Sequence, residues 1–160
     1  MKKKILPVIV AILLILVIGG CTLGKMLLDR YSYSKEEADW NEFYQVSETD
    51  RSAIILQDEM VEEQALIRDG VCYFDLATVH KYMNEVFYAD LSEDLLLYAT
   101  PTEVIRTTFG ETSYITTEGT QDTGYVISFT EGDTVYVAAD YVKLFTNYSY
   151  ECFDRHVQVY

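Results

Sequence analysis

The sequence predicts an α+β chain: an N-terminal transmembrane helix followed by a small strand-rich domain built from two β-β-α-β-β-like repeats. Three observations carry this. Residues 5 to 24 contain no charged side chain and follow Lys2, Lys3 and Lys4. The rest of the chain holds all 14 tyrosines and 7 phenylalanines, residues that favour strands. Two segments, starting at Asp69 and Glu131, share one order of turn, strand, helix and strand. The expected organisation is a basic head and signal anchor over residues 1–30, a short helix and linker over 31–50, and a duplicated domain over 51–160.

The N-terminal run of about 20 apolar positions is long enough to cross a bilayer as a helix. Its lysine flank should stay in the cytoplasm, so the chain beyond Lys25 should face outward. Ile18-Gly19-Gly20-Cys21 also fits the lipoprotein box, in which Cys21 would be cut and lipidated. The residues after Cys21 stay apolar, however, and the run exceeds the roughly 7 to 15 residues of a cleaved signal core. An uncleaved anchor is therefore expected, with lipidation at Cys21 as the alternative.

The net charge is −14, and it is distributed unevenly. From Tyr31 onward there are 7 basic and 25 acidic residues, giving 7 − 25 = −18. Such a surface repels nucleic acid and anionic headgroups. It also keeps an exported domain soluble. About 125 residues beyond the anchor suffice for one modest core.

Along the chain, Ser34 and Glu37 form a capping-box pattern, which predicts a short helix that Trp40, Phe43 and Tyr44 dock onto the domain. SAIILQ reads as a buried strand and DEMVEEQ as a loop or turn. In the first repeat, VCYF, LATVHKYM, VFYA and LLLYA read as strand, helix, strand and strand. In the second, TVYV, AADYVKLF, YSYEC and HVQVY follow the same order. Tyr73 then falls on Tyr136 and Val79 on Val142, with Gly70 and Gly132 in the leading turns. TEVIRTTF, TSYITT and GYVISF are further strands between the copies, separated by turns at Gly110 and EGTQDTG.

Candidate chemistry is sparse. Cys72 and Cys152 are expected as small buried residues on strands, with a single bridge between them as the alternative. Tyr148 and Tyr150 have faces suited to sugar rings, but their alternation places them in the core. His80 and His156 are expected at the surface. Asp154 and His156 read as a hairpin turn, and DLSED (residues 90–94) as a solvated loop. No Gly-x-Ser-x-Gly, His-Glu-x-x-His or Walker loop occurs. No catalytic residue, cofactor site or metal site is expected.

DGVCYFDLATVHKYM resembles the repeat of copper amine oxidase N-terminal-like domains, which combine an acidic-Gly hairpin, a strand and a short helix. KKKILPVIVAILLILVIGG, YSYSKEEAD, DGVCYFDLATVHKYMNEVFYADLSEDLLLYATP and GYVISFTEGDTVYVAADYVKLFTNYSYE together resemble the amino-terminal segment of membrane-anchored family-18 glycoside hydrolase proteins of clostridial bacteria. In those proteins a wall-associated domain and a catalytic barrel follow. The family's Asp-x-x-Asp-x-Asp-x-Glu run is absent here, so no activity carries over to these residues. Nor does the resemblance imply copper, since His80 and His156 are far apart in sequence and copper takes two or three imidazoles together.

The expected function is a non-catalytic extracytoplasmic anchoring or adaptor module. It would form the N-terminal part of a cell-envelope glycoside hydrolase acting on amino-sugar glycans. Its partners would be the membrane, through residues 5–24, and a cell-wall glycan, with no nucleic acid. The alternative is a stand-alone membrane-anchored scaffold or regulator that binds a protein through its strand edges.

Overall fold

The computed structural model describes residues 5–31 and 38–160, with side chains from Val17 onward. The chain divides into two units, one ending at Ala38 and one running from Asp39 to Tyr160. In the first, α1 (Ile5–Tyr31) is one uninterrupted helix of 27 residues, about 40 Å long at 1.5 Å per residue. Its described side chains include Lys25, Asp29 and Arg30. Among the described residues, no helix is long and apolar enough to cross a membrane. The crossing expected of residues 5–24 therefore rests on their sequence.

The second unit is a strand-rich α+β fold with two sheets. Its elements are α2 (Trp40–Tyr44), β1 (Arg51–Leu56), β2 (Glu59–Arg68), β3 (Val71–Asp75), α3 (Leu76–Tyr82), β4 (Phe87–Asp90), β5 (Leu95–Ala99) and β6 (Val104–Thr108). There follow β7 (Ser113–Thr116), β8 (Gly119–Asp122), β9 (Ser128–Glu131), β10 (Thr134–Ala138), α4 (Ala139–Lys143), β11 (Tyr150–Cys152) and β12 (His156–Val159). One sheet has the order β11-β12-β1-β2-β3-β10-β9, the other β4-β5-β6-β7-β8.

Two expectations need correction here. DEMVEEQ is not a loop: only Gln57 and Asp58 turn, with φ of 48° and 70°, and the chain then runs on as β2. Two consecutive left-handed residues make the tight turn that matches strand twist. Glu59 and Glu62 stay exposed, so the acidic residues cost the strand little. EGTQDTG likewise contains a strand, β8, paired to β7 from Ser113↔Asp122 to Thr116↔Gly119. The capping-box residues Ser34 and Glu37 lie outside the described residues. Among the described residues the short helix is α2, which begins where the Asp39 carboxylate accepts from the Asn41 and Glu42 amides.

The order strand, helix, strand, strand recurs as expected in β3-α3-β4-β5 and β10-α4-β11-β12. Register sharpens the match. β3 and β10 pair antiparallel, with Phe74 opposite Val137 and Tyr73 opposite Ala138. A shift of 63 positions (73 to 136) carries β3 onto β10. The same shift carries the pair Leu66↔Tyr73 onto Phe129↔Tyr136. Phe74 thus faces its own counterpart, Val137, and the four strands β2-β3-β10-β9 are arranged symmetrically about that pair. The register sets Asp69-Gly70 on Gly132-Asp133, so the two glycines take opposite places in their turns. Both have positive φ, 79° and 59°.

The core lies where the large sheet meets α3, α4 and the small sheet. Ile54, Phe74, Val79, Phe87, Leu96, Ile127, Val137, Tyr141 and Val157 are all buried there. Each such side chain contributes about 1.5–3 kcal/mol by leaving water. Tyr98 stacks on Phe145 at 4.5 Å, and Tyr114 meets Tyr141 edge-on at 5.3 Å, which seats the small sheet on the α4 segment. Backbone bonds from Gly110 to Ser128 and from Ile127 to Glu111 join the sheets.

Candidate functional site: a column of stacked rings

The short helix α2 places Trp40 and Tyr44 four residues apart, hence on one face. Their rings stack at 6.0 Å with 22° between planes. Tyr44 stacks on His156 at 4.7 Å, and His156 stacks on Phe153 at 4.6 Å and 11°. Four rings thereby form a continuous column. Phe43 braces it edge-on against Tyr44 at 4.9 Å.

Local structure holds both halves of the column. Asp39 caps α2 at its start, and Gln45 ends it in the left-handed conformation. Val46, buried, pins the following turn, and the Gln64 side chain donates to the Gln45 carbonyl at 3.0 Å. On the other side, Phe153 N–H donates to the His156 carbonyl at 2.8 Å, closing the β11–β12 hairpin. Ala53 N–H donates to the Arg155 carbonyl, which ties that hairpin to β1.

Trp40 is 54% exposed and Phe153 50%, although both are large and apolar. Completing their burial would be worth about 1 kcal/mol for each, which the fold leaves unrealised. Trp40, Tyr44, Phe153, Asp154, Arg155 and His156 line a hollow of about 250 Å³. It combines apolar rings with one acidic and one basic side chain. Ring faces take up C–H surfaces, while the Asp154 carboxylate accepts and the Arg155 guanidinium donates hydrogen bonds.

The sequence-predicted residues fall elsewhere or take other roles. Cys21 is an exposed thiol on α1. Tyr148 and Tyr150 are half-buried against the core, as their alternation implies. His80 is exposed, and its Nε2–H donates to the Phe87 carbonyl, tying α3 to β4. His156 corrects the expectation of two surface histidines: it is half-buried between Tyr44 and Phe153. Asp154 sits in the hairpin turn as expected. Cys72 is buried as expected, whereas Cys152 is exposed. The column itself escaped sequence reading because Trp40 and His156 are far apart in the chain and no spacing links them.

General-acid work needs a carboxyl whose pKa is raised. The displaced carboxyls here move the other way. The Ser92 hydroxyl and amide hold Asp90 below the usual carboxylate range, which keeps DLSED a solvated turn. The Gly124 amide does the same for Asp122, and the Lys81 ammonium for Glu63. Among the described residues, no three His, Cys, Asp or Glu side chains gather as a metal site would require. No protein-family model, curated protein or solved structure matches this chain.

Proposed function

We propose that residues 39–160 are a non-catalytic extracytoplasmic binding module, carried on the membrane by residues 5–24. The module would hold an amino-sugar glycan of the cell envelope on the ring column. The half-exposed rings of Trp40 and Phe153 beside Asp154 and Arg155 carry this reading. Saccharide rings present apolar C–H faces and hydroxyl edges, and the shelf offers a partner for each. The lysine-flanked apolar run supports the anchor. The resemblance to amino-terminal segments of family-18 glycoside hydrolases supports an adaptor that serves a glycan-cleaving domain. The common 63-residue shift supports an origin of the two repeats within residues 39–160 by duplication.

Trp40 is the only tryptophan of the chain, so its fluorescence reports directly on the site. Titrating the full chain in detergent micelles with N-acetylglucosamine oligomers should give a saturable spectral change. Phe153→Ala should weaken it at least tenfold. Absence of any saturable change with these oligomers or with peptidoglycan fragments would refute the reading. The same titration, followed for oligomer cleavage, should show no turnover. Protease added to intact protoplasts should digest the chain beyond Arg30, and protection there would sink the outward orientation.

A protein-binding scaffold is the second reading. It is favoured by β8, an outer strand of the small sheet with all four residues exposed. Loss of partner capture on Thr120→Pro with glycan titration unchanged would select it.

A further inference from the structure

Cys72 lies on β3 and Cys152 on β11, with β12, β1 and β2 between them in the sheet. In a flat sheet those strands would stand about 19 Å apart, at about 4.8 Å per step. Yet the rings of Phe74 on β3 and Tyr150 on β11 lie 6.3 Å apart, edge to face. The sheet therefore coils until its edge strand folds over β3.

Strand directions then set which residues meet. β12 runs parallel to β1 and β11 antiparallel to β12, so β11 opposes β1. β2 opposes β1 and β3 opposes β2, so β3 follows β1. β3 and β11 are thus antiparallel. Cys72 shares a face with Phe74, and Cys152 shares a face with Tyr150, because each pair is two residues apart. With Phe74 against Tyr150, two residues back on β3 meets two residues on along β11. That places Cys72 against Cys152, close enough for each thiol to shift the ionisation of the other.

We propose that Cys72 and Cys152 form an intramolecular disulfide that fastens the edge strand β11 to β3 and thereby holds the Phe153–His156 turn. Both are thiols in the structure. The step is thiol–disulfide exchange with a disulfide-bearing molecule, the class of oxidant found outside the cytoplasm. Cys152 is exposed and its thiol is drawn to lower pKa by the Cys72 hydrogen bond, so it ionises first. Its thiolate attacks the donor disulfide and releases one donor thiolate, leaving a mixed disulfide. Cys72, only 3% exposed, is shielded from the donor but lies opposite that sulfur by the strand register. It loses its proton and attacks the Cys152 sulfur, and the second donor thiol departs. Two protein thiols become one disulfide as one donor disulfide becomes two thiols.

The pairing is independent of what the ring column binds. The test uses the full chain carrying Cys21→Ser, in detergent micelles, exposed to oxidised glutathione, alkylated and digested without reduction. A peptide joining Cys72 to Cys152 is expected. The midpoint of thermal unfolding should rise by about 10 °C on oxidation, and Cys21→Ser/Cys152→Ser should show no such rise. Alkylation of both thiols, a persistent glutathione adduct on Cys152, or equal thermal shifts in the two proteins would overturn the proposal.

Discussion

The two repeats build the same local elements and send them to different places. After α3, the strands β4 and β5 leave the large sheet and start the small one. After α4, the strands β11 and β12 return to the large sheet, with β12 beside β1. The helices differ too. α3 is capped by Asp75, whose carboxylate accepts from the Thr78 amide at 2.5 Å. At the matching place α4 has Ala138, which offers no side-chain cap. Lys81 and Tyr82 tie α3 to Glu63 on β2, while the counterpart of Lys81 is the exposed Leu144. The first repeat secures its helix by local polar contacts. The second secures it by burial, since Ala139, Tyr141 and Val142 of its five residues are in the core. One pattern of turn, strand and helix is thus stabilised in two different ways.

Substitutions at matched positions test that contrast. The largest effect should come from the symmetric centre. Phe74→Ala removes a buried ring that packs against Tyr150 of β11 and should cost about 3–5 kcal/mol in urea unfolding. Val137→Ala, at the matched position, should cost on the order of 2 kcal/mol because fewer atoms are lost. Equal costs would mean that the two halves do not share one core.

A smaller pair of opposite sign concerns the helices. Asp75→Ala should destabilise by about 1 kcal/mol through loss of the cap. Tyr141, 63 positions beyond Thr78, carries a buried hydroxyl with no hydrogen-bond partner among the described residues, and burial pushes its phenol pKa up. Tyr141→Phe should therefore be neutral or stabilise by up to about 1 kcal/mol. A loss of stability in Tyr141→Phe would show that the hydroxyl has a partner.

The smallest effect should be Glu63→Gln, a few tenths of a kcal/mol, because the Lys81 end of the 2.8 Å Lys81–Glu63 pair is more than half exposed and water screens it. Lys81 lowers the Glu63 pKa, so this increment is present above the unfolded carboxyl's range and is lost as pH falls through the folded one. The difference between wild type and variant should shrink on acidification. A difference that grew toward low pH would contradict the pairing.

Much of the fold was legible because its signals are local. The alternation in VIRTT becomes buried and exposed faces of β6 in strict turn. Asp69-Gly70 makes the tight hairpin that its residues favour. β2 was missed because glutamates suppress the strand signal, although their side chains need only the solvent face. β8 was missed because GTQD carries no apolar residue at all and is held as a strand by pairing to β7. The ring column was not legible, since stacking depends on distances between segments brought together by the β1–β12 pairing.

By itself the sequence determined the apolar N-terminal run, the acid excess beyond it, and the twofold order of turn, strand and helix. These follow from short-range rules: which residues tolerate a turn, alternate across a strand or cap a helix. Only the tertiary structure decided which strands pair. Strand edges have generic hydrogen-bonding groups, so partner choice depends on burying side chains from distant segments together. That choice sent β4 and β5 to the small sheet and coiled β11 over β3. It also set Trp40 and Tyr44 in line with His156 and Phe153.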